Sequence, residues 1–230
     1  MTSPSTPPDS RVALLAGASG LIGRALLVRL LGEPRYARVH LLLRRAVPDL
    51  PAHAKRRDHV VDFERLPALP AVDDVFVALG TTIKVAGSER AFRAVDFDAV
   101  VNTARAARTA GAKRLLVVSA LGADATSRVF YNRVKGEMQD EIVTLGYESV
   151  VIAQPSLLLG DRAALGQPVR AGEALAAGLL NPVLRWLPRS VRPIRADAVA
   201  QALLQAALHS RPGVTVLRSG QMQPNHEPRH

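Results

Sequence analysis

Two short stretches of this chain have residue types and spacings that could do chemistry. The first is "YNRVKGE", residues 131–137, which sets Tyr131 one helical turn before Lys135. Residues i and i+4 share one face of a helix, so a phenol and an ammonium would point at the same neighbour. Such a pair can move a proton, or it can be two side chains on a common face; spacing alone does not decide. The second is "GASGLIG", which places Gly17, Gly20 and Gly23 between an apolar run and an amphipathic one. At a strand-to-helix turn the backbone N–H groups from Ser19 through Leu21 and Ile22 would meet an anion such as a dinucleotide pyrophosphate. Gly17 would permit the tight turn, Gly20 the close approach of phosphate and Gly23 the packing of helix on sheet, and Ser19 could add a hydroxyl donor. The spacing is G-x-x-G-x-x-G rather than G-x-G-x-x-G, and a ligand-free glycine turn would read the same way.

The elements that must position these residues follow from the hydrophobic pattern. "RVALLA" reads as a buried strand and "LIGRALLVRLL" as the helix after it. "ARVHLLLRR", "HVVDFE", "DDVFVALG", "KRLLVVSALG" and "YESVVIAQPS" read as further strands. Between them "SERAFRAVDFDAVVNTARAARTAG" has helical spacing and stops at Gly111, and "VFYNRVKGEMQDEIVTLG" is a helix ending at Gly146. Apolar strands alternating with helices predict an α/β fold, a Rossmann-type doubly wound parallel sheet with helices on both faces. Residues 11–220 are expected to form one domain, with about 160–195 as a substrate-side cap. "RADAVAQALLQAAL" reads as a closing helix and "GVTVLRS" as a last strand. The polar, proline-rich residues 1–10 and the stretch 221–230 read as disordered tails.

Around the glycine loop the sequence offers further contacts to a dinucleotide. The second strand ends in Arg44 and Arg45, where an NAD-specific site usually carries an acidic residue for the ribose 2′-hydroxyl. A guanidinium binds a 2′-phosphate in a forked geometry, so NADP(H) is expected over NAD(H); two exposed arginines at a strand end are the plainer reading. Asp62 could accept a hydrogen bond from the adenine amino group, with Phe63 beside it. Leu79, Gly80, Thr81 and Thr82 follow the fourth strand, where small residues let a dinucleotide lie across the strand ends. Each could be an ordinary turn, but their order is harder to dismiss.

Composition narrows the classes. The 230 residues carry 30 Lys and Arg against 20 Asp and Glu, a net charge of +10. Only four of the basic residues are lysine, the arginines scatter along the chain, and aromatics are 4%. That argues against a nucleic-acid surface, which needs a clustered basic patch with stacking platforms. There are no cysteines and no H-E-x-x-H or similar histidine spacing, so no metal site is expected. No apolar run is long enough to span a bilayer, and the start lacks the basic and apolar regions of a signal peptide. A cytoplasmic location is expected.

With these residues in order, the chain resembles the atypical short-chain dehydrogenase/reductase superfamily, in the branch around the Tat-interacting protein and its bacterial relatives. The resemblance rests on "LLAGASGLIGRALL", "LLLRR", "VVDFE", "LGTT", "FRAVDFDAV", "AGAKRLLVVSALGAD" and "FYNRVKGEMQ", from about residue 11 to 160. It implies catalytic roles for the opening pair. Lys135 would hold the nicotinamide ribose and favour the tyrosinate form, and Tyr131 would exchange a proton with the substrate oxygen as hydride moves. Ser119, twelve residues before Tyr131, would orient that oxygen; Ala120 stands where many relatives carry a second serine. Pro155 resembles the proline after the sixth strand whose neighbours contact the nicotinamide amide. Asn102 reads as a helix-packing residue rather than a relay.

The expected function is NADPH-dependent reduction of a small carbonyl substrate. The alternatives are an NADPH-binding regulatory or interaction protein with little turnover, and an epimerase-like enzyme acting on a nucleotide sugar. No membrane association is expected; a monomer or homodimer is, with a protein partner left open.

Overall fold

The carboxyl ends of seven parallel strands form the platform on which everything functional sits. The computed structural model describes residues 10–159, 188 and 190–223. Strand β1 (Arg11–Ala16) is central, paired with β2 (Tyr36–Leu43) on one side and β4 (Asp74–Val77) on the other. β3 (Arg56–Val60) extends the β2 side; β5 (Arg114–Val118), β6 (Ser149–Gln154) and β9 (Gly213–Arg218) extend the β4 side. The order β3-β2-β1-β4-β5-β6-β9 reverses direction between β1 and β4. A doubly wound sheet opens a crevice at that reversal, because the crossover helices leave it on opposite faces. A separate pair joins β7 (Leu158–Leu159) to β8 (Ile194–Arg195).

Helices cover both faces. On one, α1 (Leu21–Gly32) and α6 (Ala196–Leu208) bury Leu26, Leu27, Leu30, Val199 and Leu203 against Leu15, Val39 and Leu41. On the other, α4 (Ala99–Thr109) and α5 (Phe130–Val143) bury Val100, Ala104, Met138 and Ile142 against Leu14, Val75 and Val117. Both faces of the central strands are thus apolar, which is why they read as continuous hydrophobic runs rather than alternating ones. Two short helices, α2 (Ile83–Ala86) and α3 (Glu89–Arg93), precede α4, and a π-helical turn at Ala94–Asp98 links α3 to it. α7 (Ser219–Met222) closes the described chain.

Two expectations shift. The third strand was expected over "HVVDFE", but β3 ends at Val60 and leaves Asp62 and Phe63 in the following loop. As an edge strand β3 keeps no side chain fully buried, so the apolar pair Val60–Val61 did not mark its centre. Residues 221 and 222, read as tail, belong to α7, whose Met222 is buried. Most of the expected cap at 160–195, and residues 1–9 and 224–230, lie outside the described residues.

At the β2–β3 edge His40 Nδ1 lies 2.8 Å from His59 Nε2. Burial, with the nearby charges of His59, Arg38 and Arg57, holds the His40 imidazole below its ordinary range. A histidine kept neutral in the fold contributes stability that is complete above the unfolded-state value of about 6.5 and is lost as pH falls through the lowered folded value. The thermal midpoint is therefore expected to drop between about pH 7.5 and about pH 5. The drop should be shallower in His40→Gln; equal slopes in the two proteins would assign it to other groups.

Candidate active site

The loop between β1 and α1 is shaped by backbone contact. Gly17 has φ +92°, and a Cβ there would lie 2.5 Å from the Ala78 carbonyl carbon after β4. A Cβ on Gly23 would lie 1.9 Å from the Gly17 oxygen, so helix and loop touch main chain to main chain. Gly20 differs: a Cβ there would meet only the Gly17 oxygen, at 3.5 Å. A Cβ at Gly20 meets no backbone clash, and Gly20 itself lines the cavity above the loop. That is where a phosphate would approach, and the cradle fits a dinucleotide's pyrophosphate.

Above this loop a cavity of about 1080 Å³ runs across the strand ends. Gly17, Ser19, Gly20, Leu21 and Ile22 line one part; Arg44 and Arg45 after β2, and Asp62 and Phe63 after β3, line another. Leu79, Gly80, Thr81 and Thr82 line the middle, and Ser119, Tyr131 and Lys135 the far end. Gly23 shapes the loop from beneath without lining the cavity. Some of these side chains are already committed. Asp62 Oδ1 accepts the Glu64 N–H at 2.9 Å, leaving its other oxygen for a ligand. Thr82 Oγ1 caps α2 by accepting the Val85 N–H at 3.1 Å. Asn102 donates to the Phe63 carbonyl at 3.0 Å, pinning this loop to α4. Pro155 is buried and does not line the cavity; its carbonyl accepts the Leu121 N–H at 2.9 Å, while Leu158 supplies the apolar contact from that segment.

At the far end α5 presents Tyr131, Lys135 and Gln139 on one stripe. The helix seats so closely because Gly136 has no side chain: a Cβ there would lie 2.0 Å from the Ala125 nitrogen. Phe92 of α3, fully buried, packs its ring 5.3 Å from that of Tyr131 and fixes the phenol's direction. Lys135 Nζ lies 2.7 Å from Asp96 Oδ1, with the two side chains only 4% and 1% exposed. Asp96 Oδ2 in turn accepts the Thr81 N–H at 2.8 Å. Gln139 donates to Ser119 Oγ and accepts from Gln154 Nε2 at 3.1 Å. With Gln139 donating into the Ser119 oxygen, the serine's own hydrogen is free to point at another acceptor.

Asp96, Gln139 and Gln154 were not singled out from the sequence. The signal for Asp96 was present: it lies four residues after Phe92 and four before Val100, both buried, so it puts a carboxylate on an apolar stripe. A charge there needs a buried counter-charge. Gln139 carried the same kind of signal, continuing the Tyr131–Lys135 stripe by one more turn.

A family model described as NAD(P)H-binding matches residues 17–152. The chain belongs to the NAD(P)H-binding family. Within it, HTATIP2 of Rattus norvegicus is 36% identical over 173 residues, covering 73% of this chain and 69% of that protein. The mitochondrial protein FMP52 of Eremothecium gossypii is 32% identical over 197 residues, covering 85% of this chain and 88% of its own. These relatives place the NAD(P)H-binding chain in the atypical short-chain dehydrogenase/reductase branch that its motifs resemble. Among solved structures, MoeE5 in complex with UDP-glucose and NAD superposes with a TM-score of 0.65 at 16% identity, covering 90% of this chain and 75% of that one. The ADP-L-glycero-D-manno-heptose-6-epimerase of Helicobacter pylori gives 0.66 at 15%, covering 91% and 77%. At such identity the likeness is one of fold. The expected cytoplasmic location is corrected: FMP52 of Eremothecium gossypii and fmp52 of Aspergillus clavatus, 34% identical over 212 residues and covering 89% of each chain, are named mitochondrial. Those names place the relatives in mitochondria, not the cytoplasm. A cysteine-free sequence does not separate the two compartments.

Removing one member of a buried ion pair leaves the other charge uncompensated, at a cost of about 3–5 kcal/mol. Asp96→Ala is expected to lower the unfolding free energy by about that amount, and clearly less in a Lys135→Met background. Equal losses in both backgrounds, measured by urea unfolding, would show that the pair is not what anchors this end of the site.

Proposed function

We propose that the protein is an NADPH-dependent oxidoreductase of the short-chain type that reduces a small carbonyl compound. The observation that carries this reading is the single cavity shared by the glycine cradle and by Ser119, Tyr131 and Lys135. The bound nicotinamide would supply the hydride. Lys135, held at the cavity wall by Asp96, would bind the nicotinamide ribose hydroxyls. Tyr131, directed by Phe92, would give its phenolic proton to the substrate oxygen, and Ser119 would donate a hydrogen bond to that same oxygen. The lysine charge would favour the tyrosinate left behind. Arg44 and Arg45 support NADP(H) over NAD(H), since each can fork onto a 2′-phosphate and neither is matched by a carboxylate at the end of β2.

One observation favours a second reading, a cofactor-binding protein with little turnover. Lys135 and Ser119 are both already engaged, by Asp96 and by Gln139. The names HTATIP2 and FMP52 state no reaction.

Calorimetric titration with NADPH and NADH, followed by NADPH oxidation against a panel of aldehydes and ketones, separates the two. The reductase reading expects tighter binding of NADPH, weakened by Arg44→Ala or Arg45→Ala, and turnover reduced about 10²–10⁴-fold in Tyr131→Phe. Tight NADPH binding with no turnover would leave the second reading. Binding of neither nucleotide would overturn both.

A further inference from the structure

Arg24 lies one residue beyond the glycine loop, in the first turn of α1, and also lines the cavity. Its side chain crosses from α1 to the segment after β2, where Nη1 donates to the Asp49 carbonyl at 3.2 Å. Its Nε is shielded from solvent and has no hydrogen-bond partner among the described residues. Among the described residues no carboxylate pairs with it there; Asp49 offers its backbone, and Asp49 is itself exposed. A shielded N–H without an acceptor is rare in a folded protein, and one carried by a residue that lines a ligand cavity is explained when the ligand brings the acceptor. The guanidinium is also fixed at the junction between the pyrophosphate cradle and the end of β2. In a doubly wound sheet that junction receives the adenosine ribose. Arg44 and Arg45, at the end of β2, are exposed and line the same cavity.

We infer that Arg24 is the fixed half of a 2′-phosphate site, gripping the phosphate from the helix side while Arg44 and Arg45 close on it from the strand side. A forked guanidinium already immobilised by one backbone bond loses less freedom on binding than two exposed arginines do, so Arg24 sets more of the cofactor preference than either of them alone. The inference rests on the NADP(H) reading above and can fail without it.

The test is calorimetric titration of the full chain with NADPH and with NADH, for the wild type, Arg24→Gln, Arg24→Lys and Arg44→Ala. The two nucleotides differ only in the 2′-phosphate, so NADH affinity reports whether each variant keeps its cradle. The expected result is a wild-type preference for NADPH of tenfold or more. In Arg24→Gln it should fall at least fivefold with NADH affinity within twofold of wild type; Arg24→Lys, which keeps the charge without the fork, should recover part of it. A preference that survives Arg24→Gln while Arg44→Ala removes it would overturn the inference and leave the NADP(H) reading standing. Equal weakening of both nucleotides in Arg24→Gln would also overturn it, reducing Arg24 to a tie between helix and loop. A wild type with no preference would overturn the NADP(H) reading and the inference together.

Discussion

The buried contact between Lys135 and Asp96 is the constraint on which the rest of the site depends. Neither charge could stay under the surface alone, because desolvating an isolated ion costs far more than a single hydrogen bond returns. Each therefore fixes the other. Asp96 can reach the lysine because a π-helical turn widens the helix between α3 and α4 at that point, and its second oxygen takes the Thr81 N–H. One carboxylate thus joins three segments: the loop after β4, the helix that covers it, and the helix that carries the tyrosine. Gly80 completes the junction, since a Cβ there would lie 3.3 Å from Asp96 Oδ1 and 3.8 Å from Lys135 Nζ.

Backbone contacts do the corresponding work elsewhere. The first helix meets the glycine loop at Gly23, the loop meets the end of β4 at Gly17, and α5 meets the loop after β5 at Gly136. In each case a methyl group would overlap main-chain atoms, which cannot swing aside as a flexible side chain can. Such close seating makes the site rigid enough for chemistry that depends on distances of a few tenths of an ångström. The amide of Gln139 adds a finer control: with its oxygen held by Gln154, its nitrogen faces Ser119 and decides which way the serine hydrogen points.

Much of this was legible in the sequence, and the failures have physical causes. The strands of the sheet centre were readable because both faces are buried, leaving uninterrupted apolar runs such as "RVALLA" and "RLLVV". β3 was misplaced because an edge strand carries polar side chains on both faces, so Arg56–Val60 looks like a loop. Tyr131, Lys135 and Ser119 were singled out by the Y-x-x-x-K spacing together with the family resemblance, and all three line one end of the cavity. Asp96 was passed over because a helical wheel treats one acid in an apolar stripe as noise, although its burial requires a partner. Pro155 was named for the cofactor by likeness alone, and its carbonyl braces the loop after β5. Arg24 was hidden by its neighbours: next to three glycines with an evident purpose, it read as an ordinary helix residue.

In the proposed reading the glycine cradle and the Lys135–Asp96 junction hold the two ends of one dinucleotide. A crystal structure with NADP+ bound tests it most directly. The expected result is pyrophosphate over Gly17–Gly23, and Lys135 Nζ within about 2.7–3.2 Å of the nicotinamide ribose hydroxyls while Asp96 keeps its hold. A nucleotide bound outside the cavity, or one whose nicotinamide end lies away from Tyr131 and Lys135, would contradict it.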